Sequence, residues 1–185
     1  MNRKFPAWAV LLLITLCAGL ALGGTFELTR DAIAAQQTAA AENARRAVLP
    51  QADTFEAIAP DAGLGLDWCY AGKKDGALVG YAAQITVQGF GGEIEVVAGV
   101  DTAQTIRGVT VGGGSFSETP GLGAKAKESA FTDAFIGKQA QLRVVRAGEA
   151  ADDASIDAIT SATITSRAVV GAVNDIAKAV ASLQP

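Results

Sequence analysis

Five hydroxyl side chains fall within seven residues, at Thr160, Ser161, Thr163, Thr165 and Ser166, just after the acid Asp157. An apolar face follows at once: Val169, Val173, Ile176, Val180 and Leu183 are spaced by four, three, four and three residues. That period predicts a helix from about Thr165 to Leu183. Thr160, Ser161 or Thr163 then sits where the helix begins. Such a place offers unpaired backbone N–H groups and the positive end of the helix dipole, which together suit a phosphate. Spacing alone leaves the stretch open to a second reading, as a helix cap and its neighbours, with Asp157 as a cap ahead of the helix.

A second stretch, Glu118-Thr119-Pro120-Gly121-Leu122-Gly123, follows the glycines 112–114 and Ser115. Pro120 fixes φ, and Gly121 and Gly123 let backbone approach a flat group closely. Thr119 can offer a hydroxyl and a backbone N–H, Leu122 an apolar cover, and Glu118 a carboxylate that accepts from a ligand N–H or caps the turn. By composition alone this is a surface turn, because Pro-Gly is a general turn signal.

Other chemistries are excluded by what the chain lacks. It has no histidine, so the commonest general base and the commonest metal ligand are missing. Its two cysteines, Cys17 and Cys69, have no Cys-x-x-Cys spacing, which argues against a zinc or iron–sulfur site and against an internal disulfide. The net charge of −4 argues against a nucleic-acid partner.

The elements that must position these residues follow from patterning. Arg3 and Lys4 precede an uncharged apolar run, and Ala7 to Phe26 is 20 residues long. At ~1.5 Å per residue that spans a ~30 Å hydrocarbon core. Trp8 near one end suits a membrane interface. A cleaved signal peptide, with Ala21-Leu22-Gly23 as its cleavage site, is the competing reading, but the run is longer than a typical apolar signal core. The basic residues ahead of the span predict a cytoplasmic N-terminus and the rest of the chain outside, in a single-pass (inner) membrane protein. Glu27 to Leu49 lacks proline and glycine and continues as a polar helical stalk. Residues 1–29 are therefore read as N-terminus and transmembrane helix, 30–52 as stalk, and 53–185 as one domain. Within it, Thr54 to Ile58 reads as a short helical turn, Gly63 to Leu66 as a loop, Asp67 to Tyr70 as a strand, and Gly72 to Gly76 as a turn. The alternations Val79–Val87 and Ile94–Val100, with Thr105–Val111, read as a meander. Lys125 to Phe135 reads as a helix with Ala130, Phe131, Ala134 and Phe135 towards the core, and Leu142 to Val145 as a strand. The fold class is α+β, an antiparallel sheet with flanking helices.

The pattern Asp-x-x-Thr-Ser-Ala-Thr-x-Thr-Ser of residues 157–166 resembles the flavinylation signature of the FMN-binding domain of the Rnf and Nqr electron-transport complexes. Glu118–Gly123 matches that family's Glu-Thr-Pro-Gly-Leu-Gly loop, and Gly89-Phe90-Gly91-Gly92-Glu93-Ile94 resembles another of its segments. Two departures stand out: Ser161 replaces the usual glycine, and Phe116 or a neighbour stands where a histidine often precedes the loop. Short length and the Ala-Val-Leu-Pro approach to the domain make the chain more similar to RnfG-like proteins than to the longer NqrC-like ones. The resemblance implies FMN joined through its phosphate to Thr163, cradled by Thr160, Ser161, Ala162, Ile164 and Thr165. It implies that Glu118, Thr119, Leu122 and Gly123 fold over the flavin, and that Asp157 serves recognition by a separate flavin transferase. The partners implied are other membrane subunits of an Rnf-type ferredoxin:NAD oxidoreductase complex, coupled to sodium or proton movement, and membrane lipid. A stand-alone tethered flavoprotein, or an Nqr-type subunit of another chain, is the rival within the same chemistry.

Overall fold

The computed structural model describes residues 6–59, 63, 65–150 and 152–183. Arg3 and Lys4, on which the orientation expectation rests, lie outside these residues, as does Leu64 of the expected loop. The first element is helix α1, Ala7–Val48, 42 residues long. Its apolar part is long and apolar enough to cross a membrane, and none of that part is buried by protein. The helix stops two residues before Pro50, whose ring disfavours helical backbone in the residue preceding it. Arg45 and Arg46 lie in its last turn, against the negative end of its dipole.

Two compact units divide at Ala41/Glu42. The second is built on a five-stranded antiparallel sheet in chain order, β1 (Thr54–Ile58), β2 (Trp68–Lys74), β3 (Ala77–Gln88), β4 (Glu93–Asp101) and β5 (Ile106–Gly112). The meander read from β-alternation is present, and its register pairs Ala83 with Ala98 and Val97 with Thr110. Alternation also separates the faces. Tyr81, Ala83 and Ile85 of β3 and Ile94, Val96, Ala98 and Val100 of β4 enter the main core. Ala82 and Val97 point to the other face, where Val48 covers them. The main core is closed by helix α3, Thr163–Leu183, whose Val169, Val173, Ile176 and Val180 are fully buried. A parallel pair, β6 (Arg143–Val145) with β7 (Ser155–Asp157), completes the unit.

Three expectations change. Thr54–Ile58 is a strand, not a helical turn: Thr54 pairs with Lys73 and Ile58 with Cys69. Five residues cannot nucleate a helix by themselves, and the open edge of β2 offers a ladder instead. The turn read over Gly72–Gly76 narrows to Asp75-Gly76, both with positive φ (49° and 82°), the two-residue Asp-Gly hairpin turn. The helix expected over Lys125–Phe135 is broken into a 3-10 turn (Gly123–Lys127), a four-residue helix α2 (Ser129–Thr132) and a second 3-10 turn (Asp133–Phe135). Glu128 is extended at the break. The reason is register: Ala126 and Phe131 are both buried, yet five helical residues would set them roughly 140° apart. The break brings both inward and leaves Ala130 exposed, while Phe131 and Phe135 meet edge to face at 5.4 Å.

Cys69 is buried in the main core, and burial pushes its thiol up to about 11. It is a packed, inert side chain with no disulfide.

Candidate functional site

The site grows from the start of α3. The chain leaves β7, and Ala162 N–H donates to Ile159 O at 2.9 Å, closing a tight turn. Ser161 is third in that turn, with φ +63°, where the resembling signature has glycine. Ser166 then locks the helix start. Its Oγ accepts from Ile159 N–H at 2.9 Å and donates to Ala162 O at 3.0 Å, and it is fully buried. The helix begins at Thr163, two residues earlier than the apolar period indicated. The N–H groups of Thr163, Ile164 and Thr165 thus belong to the first turn, with no acceptor one turn earlier in the helix. Thr163 and Ile164 face solvent, and Thr165 faces inward.

The inward hydroxyl meets the second stretch. Thr165 Oγ1 donates to Glu118 Oε2 at 2.9 Å. Glu118 Oε1 accepts from the backbone N–H groups of Phe90 (2.7 Å) and Gly91 (3.0 Å). One buried carboxylate therefore joins the β3–β4 turn, the 118–123 loop and the head of α3. Space for it depends on glycine. A Cβ on Gly123 would lie 2.1 Å from Glu118 Oε2, and one on Gly89 would lie 2.3 Å from Oε1. Glu118 thus accepts from three protein donors while also lining the cavity described below.

Between these segments lies a cavity of about 370 Å³, within the roughly 300–1,000 Å³ of small-molecule sites. One side is the helix start, with Ser161, Ala162, Thr163, Ile164 and Thr165. The other is the loop, with Glu118, Thr119, Leu122 and Gly123, and the last wall is Phe90. Phe90, Leu122 and Ile164 are large apolar side chains left exposed around it. Of the residues singled out in the sequence, Thr160 and Asp157 do not line the cavity. Thr160 is exposed on the turn. Asp157 lies in β7, where Oδ1 accepts from the N–H groups of Glu149 (3.0 Å) and Ala150 (2.9 Å). It ties down that loop and does not cap α3. Phe116 also lies off the cavity, under Lys127 Nζ at 3.7 Å from its ring centroid. Phe90 is the lining residue that sequence reasoning passed over. Its signal was an aromatic set among Gly89, Gly91 and Gly92, where a side chain cannot be hidden.

The arrangement fits an FMN. Exposed apolar walls suit a flat ring, and the solvent-facing Thr163 hydroxyl and first-turn N–H groups suit its phosphate. Among the described residues no cluster of ligands for a metal ion is present.

Comparison with known proteins agrees. Residues 89–178 match the FMN-binding domain model. The chain is 36% identical over 185 residues to the G subunit of the Na(+)-translocating ferredoxin:NAD(+) oxidoreductase complex of Acetobacterium woodii, covering 92% of this chain and 88% of that one. It is 29% identical over 175 residues to the proton-translocating counterpart of Clostridium ljungdahlii, covering 94% and 90%. Among solved structures, the C subunit of the Na(+)-translocating NADH-quinone reductase from Parabacteroides distasonis shares the fold, with a TM-score of 0.51 and 25% identity over 60% of this chain and 61% of that one. The chain therefore belongs to the RnfG family of ion-translocating oxidoreductase complexes, with an FMN-binding domain over residues 89–178.

Proposed function

We propose that this protein is the flavin-carrying electron relay of a membrane-bound ferredoxin:NAD oxidoreductase complex, with FMN esterified through its phosphate to Thr163 and with electron flow coupled to sodium or proton movement. The observation that carries the reading is the convergence of the hydroxyl-bearing helix start and the Glu118–Gly123 loop on one cavity. When bound, FMN takes up and passes on one or two electrons.

The chain's own residues bind and orient. Thr163 supplies the ester oxygen from the exposed first turn of α3. The first-turn N–H groups and the helix dipole face the phosphate charge. Leu122 and Ile164 give apolar contact, and Thr119 offers a hydroxyl at the polar edge. No proton-transferring residue is required, which agrees with the absence of histidine. Attachment forms the Oγ1–P bond at Thr163 and breaks a phosphoanhydride bond of an activated flavin donor, releasing a nucleoside monophosphate and the hydroxyl proton. A separate flavin transferase performs this step, and Asp157, which holds the 149–150 turn in place, is part of the surface it recognises. The relay works inside an assembly of membrane redox subunits, because the sequence carries no nicotinamide or iron–sulfur motif to supply a donor or acceptor. The apolar segment of α1 anchors it in the lipid.

Thr163→Val keeps the β-branched shape and removes the hydroxyl. Protein made with its flavin transferase is expected to lose all flavin fluorescence in a denaturing gel, with an unchanged melting curve. Fluorescence that persists would overturn the Thr163 assignment and move it to Thr160, since Thr165 is buried and bonded to Glu118.

A further inference from the structure

Phe90 is 69% exposed at the mouth of the cavity, yet its backbone is hydrogen-bonded to a buried side chain. Its N–H and that of Gly91 both donate to the buried Glu118 carboxylate, at 2.7 and 3.0 Å. Gly89 N–H donates to Gly92 O at 2.8 Å, closing the turn. Ser117 Oγ donates to Gly91 O at 2.6 Å. A Cβ on Gly91 would lie 2.4 Å from Ser117 O, so the turn is pressed against the loop that it bonds. A hairpin tip of this composition would ordinarily be loose, and a tip with a large exposed phenyl group loses free energy to water. Here four hydrogen bonds, two of them to the buried Glu118 carboxylate, fix such a tip in one place. With Leu122 and Ile164 the exposed phenyl group forms an apolar rim around one cavity, as a ligand-binding groove does.

We propose that Phe90 is a wall of the flavin site, lying against a face of the isoalloxazine ring, and that Glu118 is its positioning residue. This rests on the reading of the cavity as the FMN site. Glu118 acts through the backbone it holds. Its Oε1 fixes the Phe90–Gly91 peptide, and its Oε2 fixes Thr165, so one group sets the spacing between the phenyl wall and the helix that carries Thr163. Phenyl against a flat ring is worth more than area alone, through the geometry of aromatic pairs. A ring covered on that side is shielded from solutes in water.

The test uses full-length protein in detergent, made with its flavin transferase and checked by intact mass. Wild type, Phe90→Ala, Phe90→Tyr, Glu118→Gln and Glu118→Ala are compared by iodide quenching of flavin fluorescence, by visible circular dichroism of the flavin and by midpoint potential. Phe90→Ala is expected to keep the flavin mass, raise the quenching constant about twofold by opening one ring face, and reduce the visible dichroism; Phe90→Tyr is expected to match wild type. Glu118→Gln keeps an acceptor for the two N–H groups and is expected to hold quenching near wild type while its lost charge raises the midpoint potential. Glu118→Ala frees the turn and is expected to reproduce the quenching of Phe90→Ala, with far-ultraviolet dichroism reporting whether the fold is kept; if it is lost, Phe90→Ala and Glu118→Gln decide. A flavin-loaded Phe90→Ala protein with unchanged quenching and dichroism would overturn this proposal alone. A wild-type protein without flavin mass would overturn the reading beneath it as well.

Discussion

Ser161 adopts φ +63° in the turn that starts α3, a conformation glycine takes freely and other residues take at about 1–2 kcal/mol. The strain persists because both neighbours are committed: Ala162 N–H closes the turn on Ile159 O, and Ser166 pins the same segment from inside. Restoring glycine relieves the strain and gives back some of it as unfolded-chain entropy. Ser161→Gly is therefore expected to raise stability by about 0.5–1 kcal/mol, read as a higher urea midpoint; a lower midpoint would show that the serine hydroxyl has a role the turn geometry does not reveal. At this scale the sequence was informative where chemistry is local. A helix start rich in hydroxyls is visible in a run of ten residues, and the family resemblance marks Ser161 as standing where that signature has glycine. The bond from Thr165 to Glu118 spans 47 residues and leaves no local trace. That is why Glu118 was open to two roles before the fold brought it beneath the helix.

The elements best supported by the sequence are those whose period repeats, although the short strands expected at Asp67–Tyr70 and Leu142–Val145 are also present, as β2 and β6. Alternation over β3 and β4 and the 3.6 period of α3 each repeat often enough to outweigh chance. In Thr54–Ile58 and Lys125–Phe135 tertiary demands override the local pattern: an unpaired strand edge in the first case, the placing of Ala126 and two phenylalanines in the second. Glycine was the other blind spot, because spacing does not say which glycine lies under a close contact. Gly99 in β4 lies beneath the end of α1, and a Cβ there would meet Val48 O at 2.1 Å; on the neighbouring strand a Cβ at Gly108 would lie 2.8 Å from Val48 Cα. Gly171, inside α3, has nothing within 4 Å of its Cβ position. The same substitution should then have opposite signs. Gly99→Ala is expected to destabilise by about 1–3 kcal/mol through overpacking. Gly171→Ala is expected to stabilise by up to about 1 kcal/mol through helix propensity. Chemical denaturation of both variants checks the pair, and a neutral Gly99→Ala would show that Val48 is free to withdraw from the sheet.

For the whole molecule, the deciding feature is that α1 carries two kinds of surface along one helix. From Glu42 to Val48 it belongs to the compact unit, with Val48 fully buried. Its apolar part shows leucines, isoleucine and phenylalanine on every side, with no protein covering them. At about 25 cal/mol per Å² of apolar surface, such a face is not stable in water, and lipid is the environment that matches its length. Orientation then rests on Arg3 and Lys4, since positive charge flanking a span is retained on the cytoplasmic side. We expect residues 1–5 inside and everything from about residue 30 outside, Thr163 included. The covalent attachment proposed at Thr163 would suit that side, where a dissociating flavin would be lost from the cell. Protease added to right-side-out vesicles should remove the flavin-bearing unit, and inside-out vesicles should protect it until detergent is added. The reverse pattern would place Thr163 on the cytoplasmic side and leave the proposed ester without that rationale.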